Sequence, residues 1–125
     1  MTEADIIAHW KNGSRDALEM ACLAKKAGKY DHVLFNCHLA VEKALKAEYM
    51  QKYDKDAPFT HNLLDLAETL NRKWTDKQKK DLDELTDFVS AARYSDPVWA
   101  EKYADAEHAS QWIAAAEEVL SFLNI

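Results

Sequence analysis

This sequence predicts an all-α fold of five helices packed in a single domain, and three observations carry the prediction. The chain has 125 residues, enough to bury a core in one domain without disulfides or a structural metal. It holds only two glycines and two prolines, too few turn residues for a sandwich or barrel of many short strands. Its apolar residues recur at helical spacings of three, four and seven. With 48% hydrophobic and 30% charged residues, the composition is that of a folded chain rather than a disordered one.

The first helix is expected from about Thr2 to Ala27, with Ile6, Trp10, Ala17, Ala21 and Ala24 on one face. Gly13-Ser14 interrupts that pattern weakly, as a bend would. Gly28 stops the helix, because glycine tolerates a left-handed backbone and Lys25 and Lys26 suit the negative end of the dipole. The second helix, about Lys29 to Lys52, carries Val33, Cys37, Ala40, Ala44 and Ala47, widened by Leu34, Val41 and Leu45. A helix apolar over so much of its circumference belongs at the centre of the bundle. Its remaining polar stripe is His38, Glu42 and Lys46, at successive i,i+4 steps.

A polar connection, Tyr53 to Pro58, follows. Thr60 then suits the N-cap of a short third helix that turns Leu63, Leu64, Ala67 and Leu70 inward. Thr75-Asp-Lys-Gln78 matches a capping box, opening a fourth helix with Leu82, Leu85, Phe88, Val89 and Ala92 inside. Pro97 cannot continue it. The last helix begins near Asp105 and buries Trp112, Ile113, Ala116, Val119, Leu120 and Leu123. No linker, repeat or low-complexity tract divides residues 1–125.

The formal net charge of −6 argues against broad, non-specific attraction to nucleic acid or anionic membrane. Basic residues nevertheless concentrate between Lys43 and Lys80, which holds nine, while Tyr94 to Ile125 holds six acidic residues and only Lys102. Cys22 and Cys37 are not in a C-x-x-C arrangement, and each falls at an apolar helical phase, as buried thiols do. The acidic N-terminus lacks the pattern of a signal peptide, and no run approaches the ~18 apolar residues of a membrane span. A cytoplasmic protein is the expectation.

Several chemistries find no motif. There is no glycine-rich phosphate loop, no H-E-x-x-H or cysteine–histidine zinc spacing, and no G-x-S-x-G turn. Neither a metal nor a cofactor is expected. Three features remain. Phe35 to Ala47 on the second helix contains Glu42 and Lys46, which at least form a favourable helical ion pair. Pro58-Phe-Thr-His61 leads into the leucines of the third helix, and His61 there either bonds locally or faces a ligand. Ala91-Ala-Arg93-Tyr94-Ser95-Asp96-Pro97 ends the fourth helix, where Arg93 could cap carbonyls, pair with a carboxylate or hold a phosphate bidentately.

In this order the three features, F-x-C-x-x-A-x-E-K-A-L-K-A, then P-x-T-H-x-L, then A-R-Y, resemble the HEPN family (higher eukaryotes and prokaryotes nucleotide-binding). The likeness runs from about Trp10 to the C-terminus. It implies an antiparallel up-and-down bundle, commonly a homodimer, working on nucleotides or RNA. It also implies an association with a small nucleotidyltransferase in toxin–antitoxin or defence systems. The ribonucleases of the family carry an arginine followed four to six residues later by a histidine. Here Arg93 is followed by Tyr94 to Ala100 with no histidine, and the next is His108.

The reading carried forward is therefore a binding module for nucleotide or RNA phosphate, using Arg93, Lys43, Lys46 and His61. A ribonuclease would need Arg93 with a displaced acid/base, either His108 or His61, since histidine suits proton transfer near neutral pH. A third reading is a purely structural dimerisation domain.

Overall fold

The computed structural model describes residues 1–125 apart from Ser95, and of Arg93 the backbone alone. Among the described residues there is no strand, and six helices follow one another: α1 (Glu3–Lys26), α2 (Tyr30–Tyr53), α3 (Leu63–Glu68), α4 (Asp76–Tyr94), α5 (Pro97–Tyr103) and α6 (Ala106–Phe122). One more helix is present than the periodicity predicts. Pro97 ends α4 as expected, but it also occupies the first turn of α5, where its missing N–H costs nothing. Asp96 caps that turn, accepting from the amides of Val98 and Trp99. The third helix starts two residues later than anticipated. Asn62, not Thr60, is its cap and accepts from Asp65, while the Thr60 hydroxyl accepts from the Asn62 amide one step earlier.

Other boundaries follow the local chemistry. Gly28 adopts φ +73°, and the amides of Gly28 and Lys29 reach back to the carbonyls of Lys25 and Ala24. That is the Schellman closure, which needs a left-handed residue at this position. Thr75 and Gln78 exchange side-chain-to-amide bonds at 3.1 and 2.9 Å and open α4.

Helix α2 is the axis of the molecule. It packs against α1, α3, α4 and α6, and Val33, Leu34, Cys37, Ala40, Val41, Ala44 and Leu45 are fully buried. Trp112 of α6 and Leu82, Leu85 and Phe88 of α4 close the core from the far side. Trp112 meets Phe88 edge-on at 5.1 Å, a favoured aromatic geometry. Cys37 is sealed in this core, and burial, helped by neighbouring Cys22 and Glu117, pushes its thiol up to about 12. Cys22 is only half-buried, and both thiols are free. Among the described residues, no helix is long and apolar enough to cross a membrane.

Gly13-Ser14 does not break α1, which runs through it. The pair instead makes the α1–α2 contact close. The buried Ser14 hydroxyl donates to the Ala40 carbonyl at 2.7 Å, and the Lys43 side chain lies across Gly13. A Cβ at position 13 would stand 3.1 Å from Lys43 Cδ and 3.2 Å from its Nζ, the far end of a chain that can move aside. Helix propensity therefore decides the sign. Gly13→Ala is expected to stabilise by about 0.5–1 kcal/mol, read as a higher urea midpoint at unchanged slope. Ser14→Ala should cost about 1 kcal/mol through the lost hydrogen bond to the Ala40 carbonyl, and the same titration measures it.

Candidate functional site

The polar stripe of α2 does not face solvent. His38, Glu42 and Lys46 are 1%, 6% and 7% exposed, so three ionisable residues lie inside a bundle of modest size. Charges are buried only when paired, and the pairing converges on Glu42. His38 Nε2 lies 3.2 Å from Glu42 Oε1, and Lys46 Nζ lies 3.5 Å from Oε2. The connection between α2 and α3 brings His61 Nδ1 to 2.6 Å from the same Oε1. On the opposite side of its ring, His38 Nδ1 meets the Leu85 carbonyl of α4 at 2.8 Å. Two elements thus meet on one carboxylate, and α4 holds the cluster through His38.

Burial alone would raise the Glu42 carboxyl. The hydrogen bonds from His38 and His61, with the charges of Lys46 and His38, outweigh burial and hold it at about 2, against an ordinary 4.5. Glu42 is therefore an anion throughout the neutral range. The cluster is lidded by aromatics. Lys46 Nζ lies 5.8 Å from the Trp10 ring and 5.9 Å from the Phe59 ring, within the range of cation–π attraction. Phe59 is itself 96% exposed and sits 6.1 Å from the His61 ring. His61 is half-exposed, so the cluster opens to solvent on the Phe59–His61 side.

Of the residues expected from sequence, the structure brings together His61 and Lys46 through Glu42. Lys43 lies one step around α2, in a crevice with His9, Trp10 and Gly13 of α1. His108 is elsewhere. Its amide and its Nδ1 both bond to Asp105, the N-cap of α6, and its ring meets Tyr103 edge-on. Arg93 is in the last turn of α4, but its side chain lies outside the described residues, as does Ser95. Part of the basic concentration between Lys43 and Lys80 is taken up by pairing. Arg72 binds Glu48 at 2.6 Å, Lys77 binds Asp81 at 2.8 Å, and Lys52 donates to the Leu70 carbonyl.

His38 and Glu42 do not figure among the site residues assigned from sequence, and the structure makes them its centre. The sequence carries no metal-ligand spacing, and a ligating set can come only from residues distant in the chain. His38, Glu42 and His61 place one donor atom each within 4.8 Å of one another, a set that sequence spacing could not show because 19 residues separate Glu42 from His61.

The chain is thus a small helical bundle with a buried carboxylate–histidine cluster on its central helix, closed by a histidine from the following loop. The chain belongs to the HEPN domain family, whose model matches residues 7–125. Among solved structures it is similar to the crystal structure of TT1696 from Thermus thermophilus. The two are 21% identical with a TM-score of 0.82, over 94% of this chain and 95% of that one. At that identity the likeness shows a shared fold. No curated protein matches the chain.

Proposed function

We propose that this HEPN domain binds a nucleotide or a short single-stranded RNA segment at the Phe59–His61 mouth of the cluster. The observation that carries the reading is Phe59, a large aromatic ring 96% exposed beside a half-exposed histidine and the Lys46 ammonium. An exposed ring next to cationic groups is the arrangement on which bases stack and phosphates are neutralised. His61 supplies the polar contact at the mouth and Lys43, in the crevice on the other side of Trp10, is assigned to the phosphate, while Lys46, buried against Glu42, holds the carboxylate in place. Arg93 is assigned to phosphate on the strength of the family motif. The domain acts as a homodimer, for which the exposed Tyr94 and Val98 near the α4–α5 junction offer apolar surface. It works beside a nucleotidyltransferase in a toxin–antitoxin or defence system.

The test is calorimetric titration of ATP, GTP and short RNA oligonucleotides into the protein, with chelator present. Binding is expected, and Phe59→Ala should abolish it without changing the melting temperature, since so exposed a ring contributes little to the core. An absence of heat at millimolar ligand ends this reading. Light scattering on a sizing column tests the dimer, and one chain per particle would remove it.

One observation favours a second reading, ribonuclease activity. Glu42 holds His61 by Nδ1 at 2.6 Å, which turns Nε2 away from the carboxylate. A carboxylate behind one ring nitrogen orients the other for proton transfer. With Arg93 stabilising phosphate charge, His61 would replace the histidine missing from the family motif. RNA cleavage in chelator that is lost in folded His61→Ala supports this, and an inactive parent protein refutes it.

A further inference from the structure

The hydrogen bonds around His38 pose a question that nucleotide binding does not answer. The Leu85 carbonyl can only accept, so His38 Nδ1 carries a proton. Nε2 then faces the Glu42 carboxylate at 3.2 Å. In the metal-free cluster that nitrogen donates to the Glu42 anion, and the same nitrogen offers its lone pair once the proton leaves. A ring fixed by a backbone carbonyl on one nitrogen, with its other nitrogen turned toward a carboxylate and a second imidazole, is how histidines are presented to metal ions.

We propose that His38 Nε2, Glu42 Oε1 and His61 Nδ1 are the ligands of a divalent transition-metal site of the zinc type. The three atoms already lie within 4.8 Å of one another. Zinc bonds of about 2.0–2.1 Å to nitrogen and oxygen set tetrahedral ligands about 3.3 Å apart. The His38–Glu42 spacing of 3.2 Å meets that directly, whereas the His61–Glu42 spacing of 2.6 Å must open by about 0.7 Å. His61 is the ligand that can move, being half-exposed and borne on a connection rather than a helix. Lys46 on Oε2 leaves Oε1 as a single donor and orients it.

Two imidazoles and one carboxylate suit zinc, cobalt or iron(II), not calcium or magnesium, which take sets of six or more oxygens. Three protein ligands leave a fourth position, opening on the solvent side of His61. Such a position takes water or a ligand oxygen. The site stands on these three side chains and does not depend on nucleotide binding.

Chelator-stripped protein titrated with Co²⁺ tests the assignment. One equivalent should give the visible absorption of a four-coordinate ion, and one equivalent of Zn²⁺ should bleach it. His61→Ala, a change at a half-exposed position that leaves the fold intact by circular dichroism, should weaken binding about 100-fold or more, since even the outer partners of metal ligands are worth about 10–100-fold. His32→Ala, on a different face of α2, should leave it unchanged. A parent protein with no stoichiometric site, or a folded His61→Ala that binds Co²⁺ with parental affinity, overturns the proposal.

Discussion

Glu42→Ala, measured by urea unfolding in the presence of chelator, is expected to destabilise the protein by about 3 kcal/mol, with a fall in melting temperature of about 10–15 °C. The deleted carboxylate is the common partner of three groups. His38, 1% exposed, keeps its bond to Leu85 but loses the acceptor for its other nitrogen. Lys46, 7% exposed, becomes a cation without its counter-charge, held under Trp10 and Phe59. His61 alone can turn to water. That freedom places the cost at the lower end of the ~3–5 kcal/mol usual for breaking a buried ion pair.

Glu42→Gln should cost less. It keeps the volume and one oxygen able to accept from either histidine, and gives up the charge that Lys46 answers. A Glu42→Ala protein as stable as its parent would mean that the cluster relaxes freely, and that its closed geometry is not what holds the connection from α2 to α3.

The fold was legible in the sequence wherever a local rule acts alone. The stop at Gly28, the Thr75–Gln78 box and the start of α6 at Asp105 depend on backbone amides a few residues away, and all stand where the local chemistry places them. The errors lie where two local signals compete. Thr60 and Asn62 are both good caps two residues apart, and the choice between them belongs to the packing of Leu63 and Leu66. Pro97 can end a helix or begin one, and α5 shows it doing both.

The site divides in the same way. The i,i+4 row of His38, Glu42 and Lys46 was visible, and so was the near-complete apolar girth of α2. Taken together they signal burial, because a helix apolar nearly all round has no wet face left for its charges. The arrival of His61 was not visible. It depends on the path of the Tyr53–Asn62 connection across α2, and nothing local to His61 encodes that path. The family motif contains both segments but does not say that they touch.

The ionisation of Glu42 has a consequence for acid stability. Its carboxyl is at about 2 in the folded protein, against 4.5 when unpaired. Since the folded value is the lower one, the unfolded chain binds the extra proton first as pH falls. The contribution of Glu42 is therefore complete above about pH 4.5 and is lost progressively between there and about pH 2. The interval between 4.5 and about 2 corresponds to at most about 3 kcal/mol. Solvent on the open His61 side screens the pairing and leaves roughly half of that. Urea midpoints taken from pH 6 to pH 2 should fall more steeply in the parent than in Glu42→Gln, which has no proton to gain at this position. The difference between the two curves isolates the one carboxylate from the other acidic residues, whose titration is common to both proteins. Parallel curves would mean that Glu42 is no more acidic in the folded chain than in the unfolded one, so that burial offsets the pull of the two histidines and Lys46.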